Sequence, residues 1–394
     1  MSETPIRIGV IGLGRAFTLM LPTFQRDARV KLVAACDPIV AAREQFVRDF
    51  AGRDYVSAEA LCADADVDLA YIASPHQFHA EHVTLAAAAG KHVLLEKPMA
   101  ITLADCTTMI DAMAAAKRSL IVGHSHSFDG PVLKAREIID GGAVGAVRMI
   151  QALNYTDFSY RPRRPEELRT EDGGGVIHSQ AAHQIDVCRL LGGGLVRSVR
   201  AHTGQWDATR PTEGAYSALL KFAGGAFASL TYSGYGHFDS DEWMDWTSEL
   251  GVKKDASSYG VARKRHATFT SAADETRAKA ARNYGGSAAV PVAESTAHQH
   301  FGPIVVSCER GDLRLTPDGV WVYADSERYF ARVPATDTPR REVIDELWGA
   351  LRGGALAAHD GTWARATTEA SLAILESART DRDVVLQHQV PWRR

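Results

Sequence analysis

No two cysteines of this chain form a C-x-x-C pair; the five present, Cys36, Cys62, Cys106, Cys188 and Cys308, are scattered singly. An odd, dispersed set gives neither a disulfide framework nor a cysteine zinc site, so a reducing, cytoplasmic setting is expected. Long apolar runs are missing too. Nothing approaches the ~20 residues that span a bilayer, and the opening MSETPIRIGV lacks the basic-then-hydrophobic order of a secretory signal. Positive charge is not in excess. With 44 Lys and Arg against 48 Asp and Glu, the net charge is −4; a nucleic acid or an anionic membrane calls for a basic surface. A small molecule is the expected partner.

What remains is ordinary for an enzyme: 394 residues, 45% hydrophobic and 23% charged, enough for two domains and a sizeable core. Over residues 1–125 apolar strands (IRIGVIG, VKLVAAC, VDLAYIAS, HVLLEK, LIVGHS) alternate with helical stretches. That alternation predicts an α/β domain with a doubly wound parallel sheet. From about Gly145 the strands lengthen and Gly-rich turns join them, as in AYSALLKFAGGAFASLTYSG. Residues 126–394 are therefore expected to be an α+β domain with a large, open, mostly antiparallel sheet. Residues 239–295 are polar and rich in small side chains, which predicts a solvated insertion or flap.

The stretch GLGRAF, Gly12 to Phe17, follows the first strand. Gly12 permits a tight turn and Gly14 lets the backbone approach a diphosphate, with Leu13, Arg15 and Ala16 completing the loop. The helix that follows offers unpaired N–H groups to the anion. Phe17 stands where a third glycine is usual; its ring should push the helix outward or fold over the cofactor edge, while Ala16 takes part of the close-packing duty. Arg15 is read either as a neighbour of the diphosphate or as a solvated surface arginine. Asp37 lies 20 residues beyond position 17, the spacing at which a carboxylate meets the ribose 2′-hydroxyl. It would repel a 2′-phosphate, so NAD is favoured over NADP. An ordinary βα turn followed by a turn-forming Asp-Pro is the plain alternative.

HVLLEKPMA places Glu96-Lys97-Pro98 at the carboxyl end of a strand, the edge where open α/β sheets bind ligands. A residue before proline is held extended, which lets Lys97 be aimed into a cleft. Pro75, His79, Gly90-Lys91-His92 and Glu96-Lys97-Pro98, with GGGVIHSQAAHQID further on, resemble the glucose–fructose oxidoreductase and inositol dehydrogenase family (Gfo/Idh/MocA). The resemblance implies a Rossmann NAD-binding domain over 1–125. The substrate-binding domain over 126–394 would assemble a homodimer or homotetramer through its open sheet. It further implies that Ser74, Pro75, His79, Glu96 and Lys97 line the cofactor, that Pro98 is cis, and that Lys97 and His183 are catalytic.

Two departures stand out. The family's aspartate four residues before the histidine falls here on Ser179, which shares a helix face with His183 but carries no charge. Asp186 is the nearest carboxylate in sequence and is read either as orienting the imidazole or as structural. The second departure is the abundance of histidine: His124, His126, His178 and His183. Nothing in their spacing requires a metal, and none is expected. The loop NYTDFSYRPRRPEEL adds Tyr155, Arg161, Arg163 and Arg164, and guanidinium forks suit carboxylates; a solvated basic loop is the alternative. With SHSFD and RPTEGAYSALL, this loop resembles the family's dehydrogenases of aromatic-acid cis-dihydrodiols, such as phthalate 4,5-cis-dihydrodiol. Tyr155, Arg161, Arg163, His126, Ser179 and Gln180 are then the expected substrate contacts, and a catechol the product. A sugar or inositol dehydrogenase is the second reading, and a non-redox NAD-using hydrolase or NAD-binding regulator the third.

Overall fold

Short strands, largely apolar and buried except at the edge strand Arg53–Tyr55, build the first of two sheets. In the computed structural model, which describes residues 4–288 and 295–393, these strands are β1 (Ile6–Ile11), β2 (Val30–Cys36), β3 (Arg53–Tyr55), β4 (Leu69–Ile72), β5 (His92–Leu95) and β6 (Leu120–Val122). They pair in parallel in the order β3-β2-β1-β4-β5-β6. The order reverses between β1 and β4, and the carboxyl ends of strands flanking such a reversal form a ligand crevice. Both faces are covered: β4 is buried at every residue, as a central parallel strand requires.

The second sheet has nine strands. These are β7 (Val147–Tyr155), β8 (Val196–Gly204), β9 (Ala215–Phe222), β10 (Phe227–Ser233), β11 (Ile304–Cys308), β12 (Gly311–Thr316), β13 (Gly319–Ala324), β14 (Arg328–Arg332) and β15 (Val384–Val385). Their order is β14-β13-β12-β11-β7-β10-β9-β8-β15. Only β7 and β10 pair in parallel. In β9 buried and exposed residues alternate, the mark of a sheet packed on one face. The packed face carries the helix Ala182–Gly192, which lies on β7 and β10. The other face presents Leu219, Phe227 and Val305, each more than a third exposed, and the Trp321–Phe330 ring pair at 5.0 Å.

The chain divides into two units, and the division departs from the expected 1–125 and 126–394. Arg277–Ala293 and Thr336–Arg365 belong with Met1–His124, while Ser125–Thr276, Glu294–Ala335 and Ala366–Arg394 form the other unit. Side-chain anchoring explains this. Tyr284 sets its ring edge-on to Phe17 at 5.2 Å and donates to Asp49 at 2.5 Å, and Thr23 donates to the Pro339 carbonyl at 2.7 Å. Residues 239–288 are exposed or half-buried over most of their length, as a solvated insertion requires, but the stretch also has structure of its own. The stretch forms a 3-10 turn (Ser240–Met244) and two short helices, Val261–His266 and Ala272–Ala280; residues 289–294 of it lie outside the described residues. Its Glu275 is buried against Arg210 at 2.8 Å. No helix among the described residues is long and apolar enough to cross a membrane.

Arg210 is 2% exposed, so its charge depends on Glu275. Removing one partner of a buried pair leaves an uncompensated ion and costs about 3–5 kcal/mol. Glu275→Ala is expected to lower the urea midpoint accordingly, and an unchanged midpoint would show that the pair does not hold the segment in place.

Candidate functional site

The turn after β1 is shaped for a dinucleotide. Gly12 has φ +98°, and a Cβ there would stand 2.8 Å from the backbone of Ala73 and Ser74, whereas a Cβ on Gly14 would meet nothing within 4 Å. The first glycine thus presses one βα turn against its neighbour, and the second leaves open room beside the backbone. Gly14 caps the helix Arg15–Arg26, whose start has no side-chain cap and no acidic residue in its first turn. Such an end favours an anion. Asp37 closes the loop from below: its carboxylate accepts the Leu13 N–H at 2.7 Å and the Ile39 N–H at 2.8 Å. Arg15 stands at the first helical position, where burial, and then the charges of Arg282 and Arg340, pull its pKa down to about 10. Three guanidinium groups around one helix start make a setting in which a diphosphate is electrostatically welcome. The residues present therefore fit NAD or a close relative of it.

Phe17 does not fold over this loop. Its side chain is fully buried between Phe46, at 6.3 Å, and Tyr284, because the packing of α-helices Arg15–Arg26 and Val40–Phe50 leaves an aromatic-sized space that Tyr284 closes. Ala16 remains half-buried. His79 ties two loops together: Nε2 faces the Ser74 carbonyl at 3.0 Å, and Nδ1 faces the carbonyls of Pro98 and Met99 at 3.1 Å. Burial lowers its pKa to about 4, so it is neutral. Pro75 precedes the short turn His76–Phe78. Glu96 is buried and accepts the Tyr71 hydroxyl at 2.6 Å; burial raises its pKa. It serves as a fixed base under the half-buried Lys97, which is followed by a cis bond to Pro98.

In the second unit, His126 and His183 meet edge to face at 4.8 Å, both almost fully buried, with Phe301 at 5.2 and 5.1 Å from the two rings. Tyr232 stacks on Phe301 at 6.0 Å. His126 lies between two carboxylates, Asp129 at 2.7 Å from Nδ1 and Glu249 at 3.5 Å from Nε2. Burial alone would depress its pKa, but the two carboxylates outweigh that and raise it to about 9. A ring nitrogen of His126, a ring nitrogen of His183 and a carboxylate oxygen of Glu249 all lie within 4.8 Å of one another. Arg161 is near: against the cost of burial, Glu249 and Asp157 hold its pKa above the ordinary value.

Other expected contacts are placed differently. Arg163 lies 3.6 Å over the Phe158 ring, donates to the Phe158 carbonyl at 2.7 Å, and has its backbone N–H on Glu275. It braces its own loop. Arg164 pairs with Glu166 and Glu167. Ser179 lies in a π-helical turn (Ile177–Ala181) and donates to the Gly175 carbonyl at 2.5 Å. A π-turn is wider than an α-turn, so residues four apart are no longer stacked as the sequence suggested. His178 and Gln180 are buried in that same turn. Asp186 accepts from Ser127 and, at 2.6 Å, from Thr367, which makes its role structural. Tyr155 ends β7 with its ring 6.1 Å from Phe238. Glu249, Asp129 and Phe301 were missed by sequence reasoning, since nothing in local spacing marks a loop carboxylate or a lone ring as a site residue.

The profile of the oxidoreductase family with an NAD-binding Rossmann fold matches residues 6–124, and that of the Gfo/Idh/MocA C-terminal domain matches residues 132–249. The chain belongs to the Gfo/Idh/MocA oxidoreductase family. It is 48% identical over 379 residues, 95% of this chain and 96% of the relative, to 1-carboxy-3-chloro-3,4-dihydroxycyclohexa-1,5-diene dehydrogenase of Comamonas testosteroni. A crystal structure of a protein of Bordetella bronchiseptica RB50 assigned as a dehydrogenase matches with TM-score 0.92 and 41% identity, covering 97% of this chain and 100% of that one. A dehydrogenase of Bordetella pertussis solved with NADH and UDP-GlcNAcA shares the fold, with TM-score 0.68 at 21% identity over 98% and 99% of the two chains. This Gfo/Idh/MocA protein is a dehydrogenase, and its first unit is a nicotinamide-dinucleotide-binding Rossmann domain.

Two histidines of this Gfo/Idh/MocA dehydrogenase make its stability respond to pH in opposite windows. The folded pKa of His79 lies near 4, below the ordinary 6.5. The unfolded chain then binds the proton first, and stability falls as pH drops from 6.5 towards 4. His126 is the reverse: its folded value near 9 gives stability fully present below 6.5 and lost as pH rises through 9. Each swing is on the order of 3 kcal/mol. Melting temperatures across this range should show the alkaline loss vanish in His126→Gln and the acid loss shrink in His79→Gln. Identical profiles for variants and parent would contradict these assignments.

Proposed function

We propose that the protein oxidises a cyclic carbinol, most readily in an aromatic-carboxylate cis-dihydrodiol such as phthalate 4,5-cis-dihydrodiol, to the corresponding catechol with NAD as acceptor. The observation that carries this reading is the grouping of two imidazoles, the flat faces of Phe301 and Tyr232, and the Arg161 cation in the second unit. Planar rings suit a flat cyclohexadiene, imidazoles suit its vicinal hydroxyls, and a guanidinium suits its carboxylate. The Comamonas testosteroni relative, whose name specifies a carboxylated cyclohexadiene diol, supports it.

Bound NAD supplies the hydride acceptor. Lys97 takes the proton that leaves the reacting hydroxyl, and His183 hydrogen-bonds the hydroxyl pair and shares that transfer. Loss of a hydride from carbon and a proton from oxygen gives a hydroxy-dienone, which tautomerises to the aromatic catechol and draws the reaction forward. The buried carboxylate of Asp37, held beside the Gly12–Gly14 turn by two N–H groups, favours NAD, since it repels a 2′-phosphate. Leu219, Phe227 and Val305 on the open sheet face support a homodimer or homotetramer formed through that sheet.

NADH production should be strong with cis-dihydrodiols of phthalate and benzoates and weak with inositol or glucose; the reverse order would overturn the substrate assignment. Lys97→Met should lower kcat by about 10²–10⁴-fold with NAD affinity intact. Arg161→Met should raise KM for carboxylated substrates by about tenfold or more while leaving carboxylate-free analogues little changed.

A further inference from the structure

We propose that Glu249 is the positioning carboxylate of this site, holding the His126–His183 imidazole pair in register from a loop and so supplying the negative charge that position 179 lacks. The inference rests on the reading that His183 handles the substrate hydroxyls. It begins from what surrounds the two rings. Ser179 is neutral and donates its proton to the Gly175 carbonyl, and Asp186 accepts from Ser127 and Thr367. Glu249 brings negative charge to the imidazoles, with its carboxylate 3.5 Å from His126 Nε2 and within 4.8 Å of the His183 ring nitrogen.

The loop that carries Glu249 is built to hold it there. Ser248 and Gly251 close a tight turn, the Gly251 N–H donating to the Ser248 carbonyl at 2.8 Å and the Ser248 N–H to Val252 at 2.8 Å. Gly251 has φ +74°, and a Cβ there would lie 2.3 Å from the Ala297 carbonyl oxygen, so the turn rests directly on the chain leading into β11. The N–H groups of Thr296 and Ala297 both donate to the Gly251 carbonyl, and His300 Nε2 contacts the Thr247 carbonyl at 2.8 Å. A carboxylate on a turn pinned by this many backbone contacts has a fixed origin, as an orienting group needs.

Its charge environment points the same way. Asp129 and His126, both buried, and the partly exposed Glu249 and Arg161 form a chain of alternating sign. The groups that bear on His126 are Asp129 and Glu249 in direct contact, His183 edge-on, and His300, which is itself close to Asp241; Arg161 and Tyr232 bear on Glu249. Removing the Glu249 charge removes one of two carboxylates on His126 while leaving Asp129 in place. The consequence is a His126 that gives up its proton more readily and a His183 that loses its fixed neighbour.

Glu249→Gln keeps the size and removes the charge, and Glu249→Asp restores the charge on a shorter arm. In the full-length protein, Glu249→Gln should lower kcat/KM by about 10–100-fold, move the alkaline limb of the pH–rate profile down by about one pH unit or more, and lower the melting temperature at neutral pH by only a few degrees, through the weaker hold on the His126 proton. Glu249→Asp should recover part of both effects. Imidazole proton resonances, with His126 assigned by its loss in His126→Gln, should show the His126 titration shifting down in Glu249→Gln. That measurement needs no substrate, so it stands even when no dihydrodiol is turned over, and the two readings fail separately. An unmoved His126 titration and pH profile would overturn the proposal. So would stoichiometric binding of zinc or manganese that is lost in Glu249→Gln, because the carboxylate would then be serving a metal.

Discussion

The closest approach in the first unit governs what it can bind. Gly12 brings the turn after β1 so near the turn after β4 that no side chain fits between it and Ala73–Ser74. Once those two turns touch, the backbone N–H of Leu13 falls to Asp37, and the Ser74 carbonyl falls to His79, which reaches on to the carbonyls of Pro98 and Met99. The carboxyl ends of β1, β2, β4 and β5 are thereby brought together around one carboxylate and one neutral imidazole, whose single N–H donates on one side only. Lys97 sits at the end of that linkage, next in sequence to a carboxyl held by Tyr71. Backbone proximity at a single glycine thus fixes where a cofactor phosphate can be.

In the second unit the governing constraint is that buried charge must find an opposite charge. Arg210 has Glu275, Arg189 lies 3.9 Å from Asp186, and His126 has Asp129 and Glu249. The first two pairs hold elements together. The third lies beside a second imidazole and an aromatic wall, and this is what separates a site from a brace: its charges face other titratable groups and flat apolar surface instead of only each other.

How much of this could be read from the sequence follows from which interactions are local. The parallel sheet and the Gly12–Gly14 turn with Asp37 behind it are products of short-range spacing and were legible, whereas the cis bond before Pro98 was legible only through the family resemblance. Phe17 was misjudged because its partner Tyr284 is 267 positions away, so no local rule could supply the space its ring fills. Ser179 was placed on the face of His183 by counting α-helical turns, and the π-helical stretch breaks that count. Arg161 and Arg163, two positions apart on one loop, looked equivalent; the Phe158 carbonyl and Glu275, both held by Arg163, distinguish a brace from a cation near Glu249.

The polar stretch near 239–295 shows why composition misleads most where function is concentrated. Few large apolar side chains and mixed charge read as solvation, because a hydrophobic core is the usual reason for a segment to be ordered. Order here comes from single polar anchors: Glu249 and Glu275 serve the second unit, while Tyr284 serves the first. Each anchor contributes through a charge or hydroxyl whose counterpart already waits in a fixed element, so the segment needs no core of its own.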